Sequence, residues 1–411
     1  MKILMLTPDN QMIDRRILHE AVTLVEAGHE VTLLAGFECK QEETFDYHGV
    51  KVHRLVYDWN DTRLINLQRR FWPQHPRLRN LLNKIYLKLA NKFFELPPFE
   101  HFVFRKAAPY QADVVHVHDL PALRVGAVIA RRRGIPLVYD AHEIYYAQEV
   151  IPAKTRKRYF KLEKKYIRRA AAAITVNEYI ADLMAKRYGI APPHVIYNAT
   201  HVPPRKLDKA ASPLRKEFPA GAKILLYQGW ISNERNLETI IRMMALLPAD
   251  AYLAVIGYGS YEADLRKIAA ELNLGERVKF LGRIENENLL PYTAGADLGI
   301  IPYLPIDENH LFCSPNKFFE YVVSGVPIFG HRNPFFEGMK QKYGLIETAD
   351  LGTPESAAQG LLPLLDPARL AAMRERCDAG AATLNWRVEG EKLLQIYRTL
   401  GPAAQPEKVT R

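Results

Sequence analysis

The residues best placed to do chemistry in this chain stand just after runs that read as strands. "YQGWISNERNLETI" puts Gly229 at the end of such a run and Arg235 at the start of a helical one. A glycine lets backbone N–H groups approach an anion, a helix N-terminus favours negative charge, and an arginine can fork two phosphate oxygens. The other reading is a tight turn followed by a surface arginine. "VIGYGS" repeats the form with Gly257 and Gly259 but lacks the third glycine of the dinucleotide fingerprint. "VHVHDL" ends a strand with His116, His118 and Asp119. Alternation puts both histidines on one face, with His118 nearer the tip, where it either donates to a substrate oxygen or is a satisfied structural group. A metal is disfavoured there, because Asp119 points elsewhere and no further ligands follow at helical or hairpin spacing. "YDAHEIYYAQE" supplies a second polar strand end with Asp140, His142 and Glu143, and two such ends in neighbouring units predict a shared site.

A further carboxylate is out of place. In "SPNKFFEYVVSGVPIF", Ser314 and Pro315 read as a helix start, Phe318, Phe319, Val322 and Val323 as a buried face, and Gly325 with Pro327 as a stop. Glu320 shares that short helix, and a carboxylate there is costly unless something binds it. If the N–H groups of Ser314, Pro315, Asn316 and Lys317 (proline excepted) face the same cleft as Gly229 and Arg235, Glu320 lies about one turn further in. It could then accept two hydroxyl hydrogen bonds from a ribose diol while phosphates sit on the glycine turn and Arg235. The alternative is a surface ion pair between Glu320 and Lys317 at i, i+3 spacing.

These groups need a scaffold with many strand ends. "KILMLT", "VTLLAG", "DVVHVH", "LVYDA" and "AITVN" are apolar on both faces, as a parallel sheet covered by helices requires. Helical patterns alternate with them, such as "IDRRILHEAVTLVEAGH", where Gly28 ends the helix. The rhythm breaks in the proline-rich, charged stretch from 198 and restarts with "KILLYQG", "AYLAVIG", "VKFLG", "LGIIPY" and "VPIFG". The expected organisation is a first α/β domain over 1–200, a linker over 201–221, a second α/β domain over 222–383, and a closing helix with a ragged tail over 384–411. A length of 411 residues suits two domains. With no leading apolar segment, no stretch near the roughly 18 residues that span a bilayer, and three distant cysteines, the sequence predicts a soluble cytoplasmic protein without a disulfide framework.

The net charge of +10 makes an anionic partner plausible. Much of it lies in residues 63–94 and 154–170. Read as a helix, the first segment lines up Leu78, Leu81, Leu82, Ile85 and Leu89, flanked by Arg77, Lys84 and Lys88, with Phe71, Trp72, Tyr86, Phe93 and Phe94 nearby. That composition suits a helix on an anionic membrane; the alternative is a stripe buried on the first domain. Nucleic acid is disfavoured, since no recognised binding module accompanies the charge.

Taken in order, "EAVTLVEAGHEVTLL", "DVVHVHD", "LVYDAHE", "ITVNEYIADLMAKRYG", "LLYQGWISNERNLETII", "VIGYGSYEADL", "VKFLGRI", "SPNKFFEYVVSGVPI" and "NWRVEGEKLLQIYRTL" resemble the retaining glycosyltransferases of family 4 with the GT-B fold. The resemblance runs over nearly the whole chain. It implies two Rossmann-like, doubly wound parallel-sheet domains facing across a cleft, the acceptor on the first, a nucleoside-diphosphate sugar on the second, no bound metal or other cofactor, and a last helix crossing back to the first domain. UDP-sugars are favoured over GDP-sugars as donor, and a glycan or lipid-linked molecule is the expected acceptor.

Carried over by position, Glu320 resembles the ribose-binding carboxylate, Arg235 the basic group on the diphosphate, and His118 the histidine near the transferred sugar, so these three are the expected catalytic residues. Gly229, Gly257, Gly259, Ser314, Pro315, Asn316 and Lys317 complete the donor side, with Gly282, Arg283 and Ile284 against the base, and Asp140, His142 and Glu143 are expected on the acceptor side. The chain departs from the family pattern at three places. Phe312 stands where many relatives have a second glutamate, Trp230 where many have a second phosphate-binding arginine, and "PDNQMIDRR" where paired glycines are usual. The implied reaction is hexose transfer with retention by same-face attack, in bacterial surface polysaccharide or lipopolysaccharide assembly on the inner face of a membrane. The rivals are a related sugar-nucleotide epimerase and an inactive nucleotide-sugar-binding protein.

Overall fold

The computed structural model describes residues 1–9, 12–36, 38–57, 70, 75–93 and 95–400. Two sheets carry the fold. The first comprises β1 (Lys2–Leu6), β2 (Glu30–Ala35), β3 (Glu38–Tyr47), β4 (Val50–Val56), β5 (Val114–His118), β6 (Leu137–Ala141), β7 (Ala172–Thr175) and β8 (His194–Val195), in the order β3-β4-β2-β1-β5-β6-β7-β8. The second comprises β9 (Lys223–Trp230), β10 (Ala251–Tyr258), β11 (Val278–Gly282), β12 (Leu298–Ile301), β13 (Ile328–His331) and β14 (Ile346–Ala349), in the order β11-β10-β9-β12-β13-β14. Every pairing is parallel except β3 with β4. The two sheets and their helices form the GT-B arrangement.

Strands buried on both faces explain the composition. Ile3, Leu4, Met5 and Leu6 of β1 are all buried, and each such side chain contributes roughly 1.5–3 kcal/mol relative to exposure. The parallel order places β1 between β2 and β5, so the loops after β1, β5 and β6 open on one edge. The sequence reading omits β4, β8, β14 and the antiparallel β3, of which β3 is the least strand-like in sequence. It is polar, and its turn uses left-handed His48 (φ 51°) and Gly49 (φ 85°), a primed turn without the usual Asn-Gly.

Asn385 caps the closing helix, Trp386–Thr399, which packs into the first domain. Trp386, Leu393, Ile396 and Tyr397 join Ile3, Ile17, Leu24 and Val31 in one core cluster, and the Trp386 indole donates to Thr23 Oγ1 at 2.9 Å. Thus the last element completes the first domain's core.

The basic segment forms a helix over Pro76–Phe93. Its stripe is not buried on the first domain: Leu78, Leu81, Ile85 and Leu89 are exposed, at 42 to 55%. Phe71, Trp72 and Phe94 lie outside the described residues, as do the side chains of Lys88 and Phe93. Among the described residues no helix is long and apolar enough to cross a membrane.

Candidate active site

A cleft of about 510 Å³ lies between the domains, with Met12, Ile13, Asp14 and Arg15 on one wall and Gly229, Trp230, Arg235, Arg283, Ile284, Lys317 and Glu320 on the other. The short helix Asn316–Val323 positions the last two. Phe318, Phe319, Tyr321 and Val322 are fully buried behind it, which fixes the helix and turns Glu320 toward the cleft floor. Gly325, left-handed at φ 66°, follows its end.

Glu320 is 3% exposed and has a partner on each oxygen. Oε1 pairs with the Arg15 guanidinium from the other domain, and Oε2 accepts from the Gln228 amide. Gln228 is held in turn, since its Oε1 accepts from Thr293 Oγ1 at 2.9 Å. The expected alternative, a surface pair with Lys317, is absent: both residues are buried, and Lys317 Nζ has no hydrogen-bond partner among the described residues.

That ammonium lies over the Tyr227 ring at 3.9 Å and the Tyr303 ring at 4.8 Å. Arg235, in a 3-10 turn just before its helix, stacks on the other part of the same group, 4.4 Å from the Tyr303 ring centre, and its Nε is also unpartnered among the described residues. Gly229, at φ 128°, leaves room for the ammonium, because a Cβ there would sit 3.0 Å from Lys317 Nζ. The glycines at the end of β10, of which Gly257 also lines the cleft, have a further cause. A Cβ on Gly257 would meet Gly229 O at 1.9 Å, and one on Gly259 would meet Ile231 O at 1.9 Å, so both permit backbone approach.

Arg235, Tyr303 and Pro315 also line a second, adjoining cavity of about 370 Å³. His142, Glu143 and Asn198 face it from the first domain and Asp307, Asn309 and Ser314 from the second. Direct contacts join its walls. Asn309 accepts from Ile144 N at 3.1 Å and donates to Glu143 at 2.9 Å, Asp307 accepts from Glu149 N at 2.7 Å, and Asn177 donates to Phe312 O at 2.8 Å. Phe312, in place of a second glutamate, packs against the first domain's core.

The first-domain strand ends are rearranged relative to expectation. His118 is fully buried and lies outside the walls of both cavities; His142 stands in front of it, with 3.2 Å between His118 Nδ1 and His142 Nε2. Asp140 is equally buried, and both its oxygens take the Arg16 guanidinium, at 2.8 and 2.9 Å. It is therefore a support for the acceptor-side wall and no part of its surface. Only His142 and Glu143 of that trio reach the cavity. Asp119, left-handed at φ 58°, accepts from the His142 N–H at 3.1 Å.

Charge follows from these contacts. Burial alone would lower His142, but Asp119 and Asp140 outweigh it and raise the imidazole to about 10. Burial lowers His118 to about 4 and raises Asp119 to about 7. His142 is thus an imidazolium at neutral pH and His118 a neutral ring. Glu20, His116, His118 and Asp140 also bring ligand-type atoms within 4.8 Å of one another, a convergence hidden from the sequence because Glu20 comes from the first helix. The Arg16 guanidinium, 3.2 Å from Glu20 and bound to Asp140, already supplies that pocket's positive charge.

The sequence reading missed Arg15, Arg16 and Gln228. Asp14 capping the first helix through Arg16 N at 2.8 Å was the available signal for the two arginines; nothing local marked Gln228.

A family model described as a glycosyl transferase 4-like domain matches residues 13–199, and one described as glycosyl transferases group 1 matches residues 208–335. The chain is similar to D-inositol 3-phosphate glycosyltransferase 1 of Catenulispora acidiphila, 28% identical over 312 residues that cover 71% of this chain and 73% of the relative. Among solved structures, HepE of Anabaena, in complex with UDP and glucose, aligns with a TM-score of 0.71 at 17% identity, covering 97% of this chain and all of that one. WaaG, a glycosyltransferase involved in lipopolysaccharide biosynthesis, aligns with a TM-score of 0.65 at 15% identity, covering 96% and 99%.

Proposed function

The chain belongs to the family 4 glycosyltransferases of GT-B fold, and from that premise we propose a retaining enzyme that moves a hexose-type sugar from a UDP-sugar to a glycan or lipid-linked acceptor in surface polysaccharide or lipopolysaccharide assembly. The observation that carries the reading is Glu320, a buried carboxylate at the floor of a cleft where Arg235 and Lys317 have no carboxylate partner among the described residues. The ribose diol takes the place of Arg15 on Glu320, the diphosphate lies against Gly229 and Arg235, and the base rests near Arg283 and Ile284. HepE, which has the same fold, binds UDP and glucose, which supports the choice of base.

The sugar then enters the adjoining cavity, where the acceptor approaches from the side of His142 and Glu143. The acceptor hydroxyl forms the new bond on the face the diphosphate leaves, and its proton passes to the departing phosphate oxygen. Catalysis consists of positioning and of stabilising the charge on that leaving group. The His142 imidazolium is a hydrogen-bond donor to a sugar oxygen, not a base.

The exposed apolar stripe of Leu78, Leu81, Ile85 and Leu89, with Arg77 and Lys84 exposed beside it, supports placement on an anionic membrane surface.

Calorimetric titration with UDP, GDP, ADP and CMP tests the donor assignment. UDP is expected to bind, and Glu320→Ala to weaken it by more than about 1 kcal/mol, the scale of lost buried hydrogen bonds. Equal binding by wild type and variant would remove Glu320 from the ribose site. An acceptor-dependent glycoside with the donor's anomeric configuration separates the transferase from an epimerase or an inactive binding protein.

A further inference from the structure

A half-buried guanidinium and a buried amine in one wall, neither with a carboxylate partner among the described residues, call for an anion from outside. Arg235 has that property, and so does Lys317, whose ammonium is enclosed by the Tyr227 and Tyr303 rings beside Gly229. Glu320, three residues along the same helix, is committed to Arg15 and Gln228 and leaves Lys317 uncompensated. Trp230, at the tip of β9, is 49% exposed and carries no charge. A second basic side chain without a carboxylate partner among the described residues is delivered to this turn from the opposite side, by the helix Asn316–Val323.

We propose that the Lys317 amine is the second diphosphate ligand of the donor cleft, and that it takes up a proton from solvent as the anion arrives. The inference rests on the donor reading above and adds a residue role and a proton balance to it. The groups facing Lys317 are Arg235, Glu320 and Cys313, together with the Tyr227 and Tyr303 rings. Burial first and Arg235 second hold the empty-site amine well below the ordinary lysine value, against the weaker pull of Glu320 and Cys313. A diphosphate reverses that balance, since it supplies negative charge beside Arg235 and beside an amine that is itself shielded from water. The amine becomes ammonium, with the proton drawn from buffer. Charge on the leaving group is then met from two directions.

The test is titration of wild type, Lys317→Met and Lys317→Arg with UDP, uridine and inorganic pyrophosphate, each in two buffers of different ionisation enthalpy. Wild type is expected to take up as much as about one proton per UDP near pH 8. Lys317→Met is expected to lose the uptake and to weaken UDP roughly tenfold to a hundredfold, the range for a charge-assisted contact, while leaving uridine unchanged. Lys317→Arg, permanently charged, keeps UDP affinity within a few-fold and takes up no proton, an outcome that a merely structural lysine would not give. Unchanged UDP binding and proton uptake in Lys317→Met overturns the inference and leaves the donor reading standing. If no nucleoside diphosphate binds the wild type, the donor reading fails, and pyrophosphate alone judges Lys317: loss of its binding in Lys317→Met upholds the anion role, and no binding or no loss overturns it.

Discussion

At the tip of β6, Asp140 meets Arg16 through two bonds of 2.8 and 2.9 Å, and His142 meets Asp119 and Asp140. Beyond the tip of β9, Arg235 and Lys317 have aromatic faces and, among the described residues, no carboxylate partner. Both regions stand at the same place in related folds, yet the first domain neutralises its charges internally and the second leaves a guanidinium and an amine for a ligand to complete. The difference fits the two substrates. A sugar acceptor presents hydroxyls, which need fixed donors and acceptors, whereas a diphosphate presents charge, which a site already neutral would not attract.

The largest effect is expected where internal neutralisation is removed. Arg16→Met leaves Asp140 buried without its main counter-ion and should cost roughly 3–5 kcal/mol of unfolding free energy by chemical denaturation. A loss below about 1 kcal/mol would mean that His142 alone compensates Asp140.

Histidine titration followed by NMR sharpens the same contrast. His142 should remain protonated up to about pH 10 and His118 neutral down to about pH 4. The signs differ. His142, raised from 6.5, contributes stability that is full below that value and lost as pH rises through about 10. His118, lowered from 6.5 to about 4, makes the unfolded chain bind a proton first, so stability falls as pH drops across that window. A shared midpoint near 6.5 would refute the network.

The smallest effect is expected at the contact between the two regions. Arg15 is about a quarter exposed, at 27%, where it pairs with Glu320, so Arg15→Ala should release at most about 1 kcal/mol of competition and tighten UDP a few-fold. Weaker binding instead would make Arg15 a direct donor ligand.

How much of this was legible depends on range. Parallel strands buried on both faces announced themselves as apolar runs, and Pro315, Phe318 and Gly325 marked the Glu320 helix locally. The carboxylate in that apolar run marked a residue that lines the cleft. What stayed hidden were pairings across long separations: Arg15 with Glu320, Arg16 with Asp140, and Asn309 with Glu143. His118 was misplaced because alternation fixes which face a side chain takes, not what stands in front of it. Gly257 and Gly259 looked like anion turns for a similar reason, since a glycine admits a backbone as readily as a phosphate.

The closing helix has a consequence for biogenesis. Tyr397 donates or accepts at 2.9 Å from His116 on β5, beneath the acceptor-side wall, and Trp386 and Leu393 fill the core around β1. A chain emerging from the ribosome makes β1 well before this helix, which follows both sheets in the sequence. The second domain, whose sheet is complete by β14, can fold before the first, which must wait with an apolar face uncovered until this helix has been made. The order of maturation is thus the reverse of the order of the chain, and a truncation at the C-terminus would be felt first at the N-terminal domain.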